Sequence, residues 1–173
     1  MSAETASTGQ PGRLAWFNGL ARPVAVSALL TVCHSRRWAE AVADARPYAD
    51  ADALHRTADE VWQSLDPADW REALHGHPRI GDRGGTSAEF SRQEQAGMSG
   101  AAEDMRAAIA AGNRAYEDRF GHVFLISAAG RSPQQILDNL RSRLGNDPDT
   151  ELRVAADQHR RITRLRLDKL LAV

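Results

Sequence analysis

One cysteine, Cys33, stands in the 173-residue sequence. It excludes an internal disulfide, and its place after the apolar run Val24 to Val32 makes it a buried thiol and not a nucleophile. Charge of one sign is also missing. The formal net charge is −1 and the pI about 6.6, which removes any global argument for a nucleic-acid or acidic-membrane partner. No apolar stretch approaches the ~20 residues needed to span a bilayer. Residues 1–12 are rich in Ser, Thr and Gly and lack the apolar h-region of a secretory signal. They read as a disordered N-terminal leader, with 13–173 as one helical domain. The ending Leu171-Ala172-Val173 is not a peroxisomal address. A cytoplasmic location is the default expectation. Internal repeats and interior low-complexity tracts are absent as well.

What is there reads as helix almost throughout. Arg13 to Leu20 is a short amphipathic piece. Pro23 opens the next helix, since its missing N–H is not needed at a first turn. Ser35 is placed to cap Arg36 to Ala45, which stops before Pro47. Leu54, Ala58, Val61, Trp62 and Leu65 recur at spacings of three and four, predicting a helix over about 52–65. Asp66-Pro67 is a cap followed by proline at the first helical position, and that helix ends near Gly76. Residues 78–86 carry Pro78, Gly81, Gly84 and Gly85 and form a loop. Thr86 or Ser87 caps a helix bearing Ser91, Glu94 and Gln95, broken by Gly97 to Gly100. Ser99 caps a long helix to about Phe120, closed by Gly121. Val123 to Ala128 is apolar and short, and no partner strand is available, so an extended segment crossing the core is expected. Ser132-Pro133 starts a helix with Ile136, Leu137, Leu140 and Leu144 as its buried stripe. A last helix covers about 149–170. The fold class is all-α: a compact single-domain bundle of about eight helices.

Among the polar residues, His77 ends a helical pattern immediately before Pro78. Alone, such a histidine serves as a C-terminal cap suited to the helix dipole. His75 and His77 form an H-x-H pair, but no third spaced ligand accompanies them, so no metal site is expected. Ser91, Glu94 and Gln95 lie at i, i+3 and i+4, on one helix face. Ser-x-x-Glu can be a capping box, yet Thr86 and Ser87 are better caps, which leaves Ser91 inside the helix. A hydroxyl, a carboxylate and an amide on one face, with a histidine against them, can orient a small polar molecule and move a proton. Asn113, Tyr116 and Phe120 share a stripe explained by packing. The last helix carries Arg160, Arg161, Arg164, Arg166 and Lys169, interrupted by Asp157 and Asp168, and reads as a solvated face with one arginine turned inward.

These blocks come in one order: H-P-R-I-G, S-R-Q-E-Q-A-G, N-R-A-Y-E-D-R-F-G, F-L-I-S, R-L-G-N-D followed by E, and I-T-R-L-R-L. Over about residues 13–171 the chain resembles the family of 2-oxo-4-hydroxy-4-carboxy-5-ureidoimidazoline (OHCU) decarboxylases of urate degradation. The resemblance implies the all-α fold of that family, a homodimer, and cofactor-free decarboxylation of the ureidoimidazoline to S-allantoin. It implies His77 as the catalytic proton donor and Pro78 as a substrate contact. It makes Ser91, Arg92, Gln93, Glu94 and Gln95 a substrate-binding segment in which Glu94 is the critical carboxylate. Phe124, Leu125, Ile126, Ser127 and Ala128 match a stretch whose backbone meets the substrate, and Arg166 matches an arginine near the site. Two departures stand out. Arg79 and Ile80 occupy positions where many members carry aspartate and leucine, and the loop from His77 to Ser91 looks shorter than in many members.

The implied chemistry is consistent with these residue types. Loss of CO2 leaves an electron pair that the adjacent unsaturated ring can hold, so neither pyridoxal nor thiamine is required. The protein must orient the carboxylate, stabilise the anion and protonate one face. Two other readings stay open. One is a non-enzymatic helical interaction module whose polar motifs only cap and pack. The other is the same fold acting on a related ureido acid.

Overall fold

The computed structural model describes residues 12–80 and 103–172. Among the described residues there are eight helices and no strand: α1 (Arg13–Gly19), α2 (Arg22–Val32), α3 (Arg36–Asp44), α4 (Ala51–Ser64), α5 (Pro67–His75), α6 (Glu103–Phe120), α7 (Pro133–Arg143) and α8 (Pro148–Ala172). The expected caps of Thr86, Ser87 and Ser99, and the helix bearing Ser91, lie outside the described residues.

Local chemistry sets the boundaries. Ser35 Oγ accepts the Trp38 N–H at 3.3 Å. Asp50 accepts that of Ala53 at 2.7 Å. Asp66 with Asp69, and Ser132 with Gln135, form reciprocal capping boxes ahead of a first-turn proline. Each such cap stabilises its helix by ~1 kcal/mol. Gly121, at φ 76°, turns the chain out of α6 in a backbone region that favours glycine.

The bundle is organised around α8, which packs against α1, α2, α4 and α5. One apolar cluster joins Phe17, Leu29, Trp38, Leu54 and Trp62 to Ala156 and Leu167 of α8. A second lies under α6 and α7, with Ile109, Tyr116, Ile136 and Leu140. Residues 123–128 run extended between the two halves, as the sequence predicts. Successive side chains of an extended chain point to opposite sides. Phe124, Ile126 and Ala128 accordingly enter the α6–α7 cluster, while Leu125 joins Leu74, Leu152 and Ile162 on the other side. With no strand beside it, the segment bonds to side chains. Arg143 Nη1 donates to the Leu125 carbonyl at 2.7 Å. The Ser127 N–H donates to Gln158 at 3.0 Å, and Arg131 Nε to the Ser127 carbonyl at 3.0 Å. No described helix is long and apolar enough to cross a membrane.

Candidate functional site

The end of α5 delivers His77. Gly76 caps the helix, and the His77 N–H still reaches the Leu74 carbonyl at 3.2 Å. Pro78 then directs the chain away, and α6 fastens it twice. Asn113 Nδ2 donates to the Ile80 carbonyl at 3.1 Å. Arg79 makes a two-pronged pair with Glu117, Nε to Oε1 at 2.7 Å and Nη2 to Oε2 at 2.9 Å. Ile80 is buried in the α6–α7 cluster. Arg79 and Ile80 thus tie the exit of the His77 turn to α6.

His77 is buried, at 6% exposure, and among the described residues its Nε2 has no hydrogen-bond partner. Two more imidazoles meet it. His159 of α8 lies edge to face, with ring centroids 4.8 Å apart and planes at 82°. His34, between α2 and α3, approaches at 6.3 Å and 87°. The ring of His34 packs so closely over Gly76 that a Cβ there would fall 1.9 Å from its Nδ1, which explains glycine at this helix end. His75, only two residues before His77, is exposed and takes no part.

Electrostatics keep these imidazoles neutral. Burial, followed by the charges of His159, Arg166 and His34, holds His77 well below the ordinary histidine range. Burial first, then Arg166 and His34, pushes His159 down to about 3. His34 is lowered by burial and by Arg166. The Arg166 guanidinium is the fixed cation of the group. It is fully buried, acts on all three histidines and donates to the Val32 carbonyl at 3.2 Å. This is the one arginine of the last helix turned inward. Arg160 and Arg161 remain on the outer face, paired with Asp157 at 3.0 Å each.

Of the site residues expected from sequence, the fold brings His77 and Arg166 into one electrostatic unit and leaves Pro78 half-buried beside them. Phe124, Leu125, Ile126 and Ala128 are buried, and Ser127 is half-buried. Among the described residues no hydrogen bond uses the N–H of Phe124, Leu125 or Ile126. Ser91, Arg92, Gln93, Glu94 and Gln95 lie outside the described residues. Sequence reasoning missed His34 and His159. A signal for the second was present: His159, Ile162, Thr163 and Arg166 fall at i, i+3, i+4 and i+7, one stripe of α8.

Among the described residues, an imidazole whose Nε2 has no partner, a buried guanidinium and backbone N–H groups outside any hydrogen bond fit a small anion that must gain a proton. Comparison with known proteins points the same way. The OHCU decarboxylase family profile matches residues 18–168. The uric acid degradation bifunctional protein TTL of Arabidopsis thaliana is 32% identical over 147 residues, 81% of this chain and 45% of that protein. The chain therefore spans under half the length of that relative. The 2-oxo-4-hydroxy-4-carboxy-5-ureidoimidazoline decarboxylase of Amia calva is 32% identical over 138 residues, 77% of this chain and 79% of its own length. A crystal structure of an OHCU decarboxylase in the presence of (S)-allantoin superposes with a TM-score of 0.72 at 29% identity, covering 83% of this chain and 96% of the other. With the helical architecture, the ordered motifs and these matches in agreement, the chain belongs to the OHCU decarboxylase family.

Proposed function

We propose that this chain decarboxylates 2-oxo-4-hydroxy-4-carboxy-5-ureidoimidazoline to (S)-allantoin and CO2 without a cofactor, with His77 as the proton donor. The observation that carries the reading is His77 itself, buried with Nε2 unsatisfied beside the fixed cation Arg166. A helix cap that only packs gains nothing from a desolvated nitrogen without a partner, which costs ~1–3 kcal/mol. The interaction-module reading loses ground on that point.

Before substrate binds, burial and the nearby Arg166 favour the neutral form of His77. An incoming carboxylate supplies the negative charge that favours the imidazolium, so one proton is taken up with the substrate. The C–C bond to the carboxylate then breaks and CO2 leaves. Its electron pair forms a double bond to the adjacent ureido-bearing carbon as the C=N pair moves onto the ring nitrogen, leaving an enol. His77 transfers its proton to the ureido-bearing carbon from one side and returns to the neutral form, while the hydroxyl becomes the carbonyl and its proton passes to the ring nitrogen. The next proton comes from solvent. Arg166 and the backbone N–H groups of the 124–128 segment offset the developing charge with dipoles already in place. In the same reading Glu94 holds the hydroxyl or a ring N–H. Ser91 and Gln95 grip the ureido and carbonyl groups, within a binding segment that includes Arg92 and Gln93.

The test is circular dichroism of product formation, with urate converted in situ by its oxidase and the following hydrolase. Wild type is expected to give a rapid (S)-allantoin signal. His77→Ala is expected to lose about 10²–10⁴-fold in rate and the enantiomeric excess. Enantiopure product from His77→Ala would remove the assigned role. A wild-type curve equal to the uncatalysed control would remove the substrate.

A further inference from the structure

We propose that His159 is a positioning residue for His77: its ring, fixed by Trp62 and Thr163, sets the orientation of the His77 imidazole in the site. The inference deepens the proposed decarboxylation and rests on that reading.

Every degree of freedom of the His159 ring is held except one nitrogen. Trp62 of α4 stacks on one face, with centroids 4.5 Å apart and planes within 10°. That plate is itself fixed to α8, because its indole N–H donates to the Ala156 carbonyl at 3.1 Å. Nδ1 shares a hydrogen bond with Thr163 Oγ1 at 3.1 Å, one helical turn on. The ring is fully buried, and among the described residues its Nε2 has no partner. If Thr163 donates, Nε2 carries the hydrogen. If Thr163 accepts, Nε2 is a bare lone pair. In both tautomers Nε2 is left as a desolvated polar nitrogen of the ring that meets His77. For packing alone, a phenyl or leucine side chain would fill this apolar place without that penalty.

The contact with His77 gives the fixed ring a use. The two rings meet at 4.8 Å and 82°. An edge-to-face pair at this distance fixes the plane of the second ring through the first. It also excludes a second positive charge, since two imidazolium ions cannot share a desolvated contact. A proton in the site is then confined to one imidazole. Among the described residues the other groups facing His77 are His34, from the α2–α3 connection, and Arg166 of α8. Neither can replace His159 as the orienting surface. His34 is half-buried and more distant, and Arg166 is a permanent cation.

His159→Phe and Thr163→Val in the full chain test this. The phenyl ring keeps the stack on Trp62 but loses the Thr163 bond that fixes how the ring is turned toward His77. Thr163→Val removes the hydroxyl that fixes the ring at nearly constant volume. Two readouts are taken: the kcat and KM pH profiles with product enantiomeric excess, and the proton NMR titration of the His77 ring. In His159→Phe the expected result is a fall in kcat of about 10- to 100-fold with little change in KM. The His77 titration is expected to move upward in pH, because burial remains while the imidazole whose protonation opposes that of His77 is gone. Thr163→Val should show a smaller loss of kcat and of enantiomeric excess in the same direction. Wild-type values of kcat, enantiomeric excess and His77 titration in His159→Phe would overturn the proposal. If His159→Phe does not fold, Thr163→Val decides alone: wild-type kcat and enantiomeric excess there overturn it. A wild-type protein that fails to accelerate the decarboxylation sinks the functional reading, while the His77 titration still decides the inference.

Discussion

Two buried polar groups sit along α8, and they are built on opposite plans. Near its start, Glu151 is fully buried and saturated. Its Oε1 accepts from Tyr116 Oη at 2.5 Å and from Arg143 Nε at 2.7 Å, and its Oε2 from Asn146 at 2.9 Å. Arg143 is committed in turn, since its Nη1 holds the Leu125 carbonyl. Burial and the Glu151 bond push the Tyr116 phenol far above its usual range, so it remains a donor. About two turns along, the histidine group is undersupplied, with Nε2 of both His77 and His159 unsatisfied. The first group has full charges and full partners. The second, among the described residues, sets uncharged rings around one guanidinium and leaves Nε2 of His77 and of His159 without a partner. A saturated network can do no more than hold the fold, whereas an unsaturated one has bonding capacity left for a ligand.

The sharpest way to break this contrast is to leave the saturated group unsaturated. Arg143→Ala strands the Glu151 carboxylate in the interior and releases the Leu125 carbonyl. Removing one partner of a buried ion pair costs about 3–5 kcal/mol. Urea unfolding, extrapolated to water, should show a loss of that size. The double change Arg143→Leu with Glu151→Leu should recover much of it, because no lone charge is then buried. A loss under ~1 kcal/mol in Arg143→Ala would mean that the network does not carry the fold.

The next test acts on the histidines through pH. His77, His159, His34 and His122 all lie below the ordinary histidine value in the folded protein, each first through burial. As pH falls below ~6.5, the unfolded chain binds protons that the folded chain refuses. Their contribution is therefore fully present above ~6.5 and is lost with acid, until each folded group also titrates, for His159 at about 3. Each group adds a slope of up to about 1.4 kcal/mol per pH unit. His77 and His159 together give about 2–3 kcal/mol between pH 6 and pH 5. Stability measured by urea across that window should fall steeply. A flat profile would contradict neutral burial of the cluster.

How far the sequence carried these two regions differs for a physical reason. Caps and prolines act within four residues, so Ser35, Asp66-Pro67 and Ser132-Pro133 were legible and fell where expected. The extended 123–128 segment was legible because it lacked a partner strand. Tyr116 was read as packing, and it is packed, but its hydroxyl also serves Glu151. That link joins α6 to α8, and no local pattern encodes it. His77 and Pro78 stood out at a helix end. His34 and His159 did not, because a histidine inside an apolar stretch carries no local mark until tertiary packing sets it against another ring. One inward arginine on the last helix was anticipated, but its pattern did not say which, and Arg166 was singled out only by resemblance, for the same reason.

The smallest effect is also the most discriminating. His159→Phe removes an unsatisfied nitrogen from the interior and keeps the stack on Trp62. Removing a desolvated polar atom without a partner is neutral or favourable. Against that stand the lost bond to Thr163 and the slightly larger ring. The freed threonine hydroxyl can bond back to the carbonyl one turn earlier in α8. The net change at pH 8 should lie between zero and about 1 kcal/mol in favour of the variant. Below pH 6 the advantage should grow, because one group that resists protonation is gone. The same substitution in the saturated region has no counterpart, since every atom of Glu151 is in use. A loss above ~2 kcal/mol in His159→Phe would place its nitrogens with the scaffold and erase the distinction between the two regions. A gain in stability joined to a loss of turnover would mean that the fold tolerates an unsatisfied imidazole there for the sake of the reaction.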